Sequence, residues 1–157
     1  MDVFWPLGIW ARAKCPRSRC IIVGRHSASH AASRTVLCAS ALERTAYSTL
    51  MGKSLAQMVF IDPPYNVAID GNVSGLGATR HREFVMASGE MSEEEFQQFL
   101  TKAFSLLARY STPHSLHFVC MDWRHIAEML TAGNDVYNEL INCRVWVKDN
   151  AGMGSFL

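Results

Sequence analysis

Ala56-Gln57-Met58-Val59-Phe60-Ile61-Asp62-Pro63-Pro64-Tyr65 is the stretch that decides how this chain is read. Its first six residues are mostly apolar and predict a buried strand. The strand cannot run past Asp62, because Pro63 and Pro64 lack an N–H and have a fixed φ. A carboxylate is left at the strand's end, followed by two stiff residues and an aromatic ring.

Working outward, Thr35-Val36-Leu37-Cys38 is a short strand candidate, and residues 41–51 have helical spacing that Gly52 can close. Beyond the motif, residues 66–90 contain Gly71, Gly75, Gly77 and Gly89 with no hydrophobic period. That is a long loop, and long loops within compact domains are usually functional or mobile. Ser92 and Glu95 then form a capping box, with Met91 placed to pack on Phe96. Phe96, Phe99, Leu100, Ala103, Leu107 and Tyr110 follow as one apolar stripe of a helix. Ser111-Thr112-Pro113 should end it, and residues 115–121 predict a second strand. A shorter helix is expected over about 124–132, with Asp122 as N-cap and Gly133 as stop. Residues 135–140 suit a further turn, and 143–147 a third strand. Alternating strands and helices are the grammar of an α/β parallel sheet with right-handed crossovers. Ligands of such sheets bind beyond the carboxyl ends of the strands, which is where Asp62 stands.

Composition narrows the class. The 157 residues suit one domain, and 49% apolar residues are enough for a core. A charged share of 18% excludes a disordered tail, a collagen-like repeat or a coiled coil. Residues 3–11 are the longest early apolar run, interrupted by Pro6 and Gly8, and fall far short of the about 20 residues of a membrane span. Asp2 and the lack of a basic stretch before that run oppose a secretory signal, so a cytoplasmic location is expected. Residues 1–55 carry a net +6 and residues 56–157 a net −5. The acidic portion cannot owe affinity for nucleic acid to net charge. Residues 1–34 hold Arg12, Lys14, Arg17, Arg19, Arg25 and Arg34 among Ser and Ala, a basic leader expected to be poorly ordered. The five cysteines, Cys15, Cys20, Cys38, Cys120 and Cys143, show no paired pattern, and Cys15 and Cys20 lack the second ligand pair that zinc needs. His114 and His117 have no carboxylate or thiol at metal spacing, so no metal is expected.

The chemistry lies in Asp62-Pro63-Pro64-Tyr65. A given four-residue string of this kind appears by chance in about one chain in a thousand of this size. An exocyclic amine is a poor nucleophile because its lone pair is delocalised into the ring. The Asp62 carboxylate and the Pro63 carbonyl can each accept one of its N–H bonds. That geometry draws the nitrogen towards a tetrahedral form and frees the lone pair for attack on a methyl sulfonium. Positive charge then grows where fixed oxygens already point. Tyr65 offers a flat face to a base turned out of its stack, worth about 1–3 kcal/mol. No general base is required. The plainer alternative is turn punctuation, with Asp62-Pro63 ending a strand and Tyr65 filling a turn.

The segment Met58-Val59-Phe60-Ile61-Asp62-Pro63-Pro64-Tyr65-Asn66-Val67 resembles motif IV of the N6-adenine/N4-cytosine DNA methyltransferases. The similarity continues through Ile69-Asp70-Gly71, Ser74-Gly75-Leu76-Gly77, His81-Arg82-Glu83-Phe84 and Ser88-Gly89-Glu90-Met91-Ser92. It runs on through His117-Phe118-Val119-Cys120-Met121-Asp122-Trp123-Arg124-His125 and Val145-Trp146-Val147-Lys148-Asp149-Asn150. Over about residues 35–157 the chain is similar to the DNA-modification methylases often fused behind a ParB-like nuclease domain. The resemblance implies a partial, incomplete Rossmann-like sheet of the S-adenosylmethionine-dependent methyltransferases. It implies methyl transfer from S-adenosylmethionine to a flipped base in duplex DNA, as in restriction-modification. Asp62, Pro63, Pro64 and Tyr65 would be the catalytic residues, and an Asp at the motif's head leans towards adenine N6.

Other residues are open to two readings. Asn66 would bond a base edge or cap the turn. His81 and Arg82 would meet DNA phosphate or form a solvated loop pair. Lys148, after Trp146 on the last predicted strand, would face the site or solvent. Two departures count against a complete enzyme. No Phe-x-Gly-x-Gly loop for the cofactor occurs, and Ala39-Ser40 stands where relatives carry Gly-Asp. A truncated or split catalytic portion, needing a C-terminal half or partner chain, is therefore expected. The alternatives are an inactive remnant and a methyltransferase acting on RNA or protein amides.

Overall fold

The computed structural model describes residues 21–24, 34–68 and 85–145. β1 (Ile21–Gly24) and β2 (Arg34–Leu37) pair antiparallel, with Ile21 opposite Leu37. Part of the basic leader is thus in a hairpin ladder, and the remainder of residues 1–33 lies outside the described residues. α1 (Arg44–Met51) starts three residues later than expected and ends at Gly52, whose φ of 56° suits a residue without Cβ. Residues 41–43 instead form a turn, braced by Tyr47 donating its hydroxyl to the Ala41 carbonyl at 2.9 Å. Burial pushes that hydroxyl's pKa up to about 12.

β3 (Ala56–Ile61) pairs in parallel with β4 (Ser111–Val119), and α2 (Glu93–Arg109) crosses between them. The capping box is formed, with the Glu95 N–H donating to Ser92 Oγ at 3.2 Å and the Ser92 N–H to Glu95 Oε2 at 2.9 Å. The apolar stripe of α2 is the core. Phe96, Leu100, Ala103 and Phe104 are buried together with Ala87 and Ala132, and Met91, Leu107, Ile61 and Val119 pack around them. Phe104 belongs to that stripe eight residues on from Phe96, a position the sequence reading passed over.

Four expectations are corrected. β4 begins at Ser111 and runs through Pro113 rather than starting at 115. The register slips between Ala56 and Met58, and His114 takes a φ of 64° there. Pro113 is tolerated because a bulge removes the ladder bond that its missing N–H would have made. The last helix, α3 (Ile126–Val136), follows a 3-10 turn at Trp123–His125 and passes through Gly133. Gly133 does not end it, because helix capping there falls to the Tyr137 N–H, which donates back to the Gly133 carbonyl at 2.8 Å. Residues 137–140 consequently add no turn of helix. The predicted third strand does not appear in its described portion, 143–145, where Val145 is 82% exposed. Trp146 and Val147 lie outside the described residues. Cys120 and Cys143 are free thiols, whereas Cys38 is disulfide-bonded, a pairing that the spacing does not reveal.

The described fold is α/β, with a small two-stranded parallel sheet that one helical layer covers. Val59, Ile61, His117 and Val119 face α2 and α3 with low exposure, while Met58, Phe60, Leu116 and Phe118 on the other face are 47–64% exposed. On that open face Phe60 and Phe118 stack with ring centroids 6.3 Å apart. On the covered face His117 sits in a polar cluster, with Nδ1 3.0 Å from the Tyr137 hydroxyl and Nε2 3.1 Å from Ser111 Oγ. Because Ser111 donates to the Leu107 carbonyl at 2.7 Å, its oxygen is left to accept from His117. Ser115 Oγ also lies 3.2 Å from Nε2, and burial of the ring favours the neutral imidazole.

Two predictions follow from the packing. Phe96→Ala should cost about 3–5 kcal/mol in urea denaturation, whereas Gln98→Ala on the outer face should stay within about 0.5 kcal/mol. Burial lowers the His117 pKa, so the unfolded chain takes up a proton first as pH falls. Stability should be complete above about pH 6.5 and decline below it, and His117→Gln should flatten that slope.

Candidate active site

The site grows out of the strand register. Ile61 lies opposite Val119, and the Cys120 N–H donates to the Ile61 carbonyl at 2.9 Å, continuing the pairing one step past β3. Both chains leave the sheet at the same edge, one through Asp62-Pro63-Pro64-Tyr65 and the other through Cys120-Met121-Asp122. Asp62 is exposed at this edge, and the two prolines and Tyr65 are half-buried. The Tyr65 hydroxyl donates to Asp62 Oδ1, closing the turn across the prolines. The Pro63 carbonyl accepts no hydrogen bond from a described residue.

The edge is electrostatically negative. Burial raises the Tyr65 pKa far above that of a free phenol, and the Asp62 carboxylate raises it further by hydrogen bond and charge. Cys120 and Asp122 push it the same way. The Cys120 thiol is itself raised, first by burial and then by Asp62. Burial opposes new charge of either sign, so only the Asp62 and Asp122 carboxylates favour a group that becomes cationic here. Asp122 accepts from the Arg124 N–H at 3.0 Å, so it caps the 3-10 turn as expected, and its carboxylate also pairs with the Arg124 guanidinium at 3.1 Å.

Asn66 is buried, 6% exposed, with a φ of 55° that Asn tolerates better than most residues. Its Oδ1 accepts from the Gly89 and Met91 N–H groups at 3.1 and 3.2 Å, and its Nδ2 donates to the Met91 carbonyl at 2.9 Å. Of its two readings, the structure places the amide in backbone capping, made across the chain and not within its own turn. The clamp joins the acid–proline–proline–aromatic turn to residues 87–91, just before α2. There Glu90 accepts from the Ala87 and Ser88 N–H groups at 2.5 and 2.6 Å. Burial would raise the Glu90 carboxyl, but these bonds outweigh it and hold the group below its usual range.

His81, Arg82 and Lys148 lie outside the described residues, so the structure brings together Asp62, Pro63, Pro64, Tyr65 and Asn66 of the expected set. Cys120 and the charge of Asp122 were missed as members of the site. The available signal was the second strand's own carboxyl end, which a parallel sheet must deliver to the same edge. Among the described residues no group of three His, Cys, Asp or Glu side chains could hold a metal. None of the described helices is long and apolar enough to cross a membrane.

The Tyr65–Asp62 contact has a direct readout. Asp62→Asn removes both the charge and the strong acceptor, so one phenol should ionise at lower pH in an ultraviolet alkaline titration. An unchanged titration curve would remove Tyr65 from contact with Asp62.

A family model described as DNA methylase, of the N6/N4 type, matches residues 56–157. No curated protein and no solved structure matches the chain. The match spans the strand, the acid–proline–proline–aromatic turn, the capped helix and the second strand, in the order that builds this edge. With more than half its length matched, the chain belongs to the N6-adenine/N4-cytosine DNA methylase family.

Proposed function

We propose that the chain supplies the target-gripping corner of a site-specific DNA methylase, with adenine N6 as acceptor and S-adenosylmethionine as methyl donor. The observation that carries this reading is the exposed Asp62 carboxylate at the end of β3, held by the Tyr65 hydroxyl in a negative surround. A base turned out of duplex DNA would stack on the Tyr65 ring and exchange its amine for that hydroxyl at Asp62. The second N–H would go to the Pro63 carbonyl. Both acceptors are fixed before the base arrives, so little reorganisation is needed as the nitrogen becomes positive. The proton leaves after the new bond forms, and no raised-pKa base is needed to take it.

The described residues do not fit the donor. Gly52 and Gly89 are the described glycines with positive φ, at 56° and 98°. A Cβ on Gly52 would meet nothing within 4 Å, and one on Gly89 would meet Ala68 N at 3.5 Å. Neither directly follows a parallel strand. The chemistry assigned to these residues is therefore confined to holding and polarising the amine. A second reading is favoured by the open sheet face of Met58, Phe60, Leu116 and Phe118. In it, turnover requires a further portion of the enzyme, from this gene or a partner chain, to cover that face.

Transfer of labelled methyl from S-adenosylmethionine to duplex DNA tests the assignment, with tRNA as a comparison acceptor. Asp62→Ala should lower turnover on the order of 100-fold or more. Undiminished turnover would remove Asp62 from the chemistry. A wild-type chain that is inactive alone and active with a complementing glycine-loop half would establish the second reading.

A further inference from the structure

Trp123 is an exposed aromatic that the chemistry above does not use. It is 73% exposed, although an indole is among the side chains that gain most from burial. Its backbone is held in a hydrogen-bonded turn. Asp122 caps its turn through the Arg124 N–H at 3.0 Å, and the His125 N–H donates to the Asp122 carbonyl at 3.2 Å. His125 Nδ1 in turn lies 2.7 Å from Glu128 Oε1. The Arg124 guanidinium, fixed by the Asp122 carboxylate, sits 5.3 Å from the centre of the indole. The backbone that carries the ring is therefore held in a closed turn, with the guanidinium over the indole.

Its location matters more than its exposure. Trp123 follows the carboxyl end of β4, directly after Asp122, whose charge reaches Tyr65. The two aromatics therefore stand on the two chains that leave the same sheet edge. Charge selects what Trp123 would bind. Asp62 and Asp122 repel phosphate, and the Arg124 charge is already answered by Asp122. A neutral, planar partner is what the indole can accept without an electrostatic penalty.

We propose that Trp123 is a second nucleobase-stacking residue, taking a base that flanks the one held at Asp62. This rests on the DNA reading above, and the measurement separates the two. Fluorescence anisotropy of a labelled single-stranded oligonucleotide and of a duplex would be recorded with the full chain and with its Trp123→Ala and Trp123→Phe variants. Trp123→Ala should bind about 5- to 150-fold more weakly, matching the loss of one stacked base, and Trp123→Phe should recover most of it. The dependence of affinity on salt should be the same for all three, because stacking releases no counterions. Unchanged circular dichroism and melting would show that the loss is not one of folding, as expected for so exposed a residue. Equal affinity of wild type and Trp123→Ala would overturn the proposal and leave the DNA reading standing. So would a shallower salt dependence in Trp123→Ala, which would make the contact one to phosphate. If the wild-type chain binds neither oligonucleotide, the DNA reading fails for this chain and the Trp123 proposal fails with it.

Discussion

The parallel pairing of β3 with β4, carried one step further by the Cys120 N–H on the Ile61 carbonyl, is the constraint on which the site depends. Parallel strands deliver their carboxyl ends to one edge, whatever the intervening chain does. Here that edge collects Asp62, Tyr65, Cys120 and Asp122 from segments more than fifty residues apart. A register slip of one residue would exchange the faces of β4 and send His117 towards the open side. The bulge at Pro113 and His114 lies at the far end of the pair, so the irregularity is spent where no chemistry occurs.

A second constraint fixes the turn itself. The prolines limit φ at two positions, the Tyr65 hydroxyl closes the turn onto Asp62, and Asn66 ties its exit to the Met91 backbone. The clamp lands next to Ser92, the N-cap of α2, so the Asp62-to-Tyr65 turn and the main core helix share one anchor. Core packing through Phe96 and Leu100 thereby reaches the site without any of those side chains touching it. Residues 69–84, whose structure is not described, run between the two sides of this clamp.

The parts of the fold legible in the sequence were those set by local rules. The strand 56–61, the capping box at Ser92 and Glu95 and the acid at the strand's end were each readable within a few residues. What escaped depended on distant partners. The start of β4 at Ser111 required knowing that Ala56 would lie opposite it. Passage of α3 through Gly133 depended on where Tyr137 would close the helix. Asn66 carried two plausible roles in the sequence, and only the return of residues 87–91 decided where its amide is spent. Cys120 and Asp122 belonged to the site by register, which no single window of sequence contains.

The acidic edge and the family's nucleic-acid chemistry look opposed, since phosphate binding is usually what brings a protein to DNA. They are reconciled by separating attraction from grip. In the proposed role, a corner that holds an amine as it becomes positive gains from the nearby Asp62 and Asp122 carboxylates. In that role the same charges would keep phosphate away from the reacting position, and a base would have to come to them out of the helix. The attraction to the backbone then has to come from positive charge placed elsewhere. By composition that charge is concentrated in residues 1–55, while residues 56–157 are acidic as a whole. A negative site in an acidic segment is therefore consistent with a division of labour in which these residues read and hold the base, and other residues supply the pull.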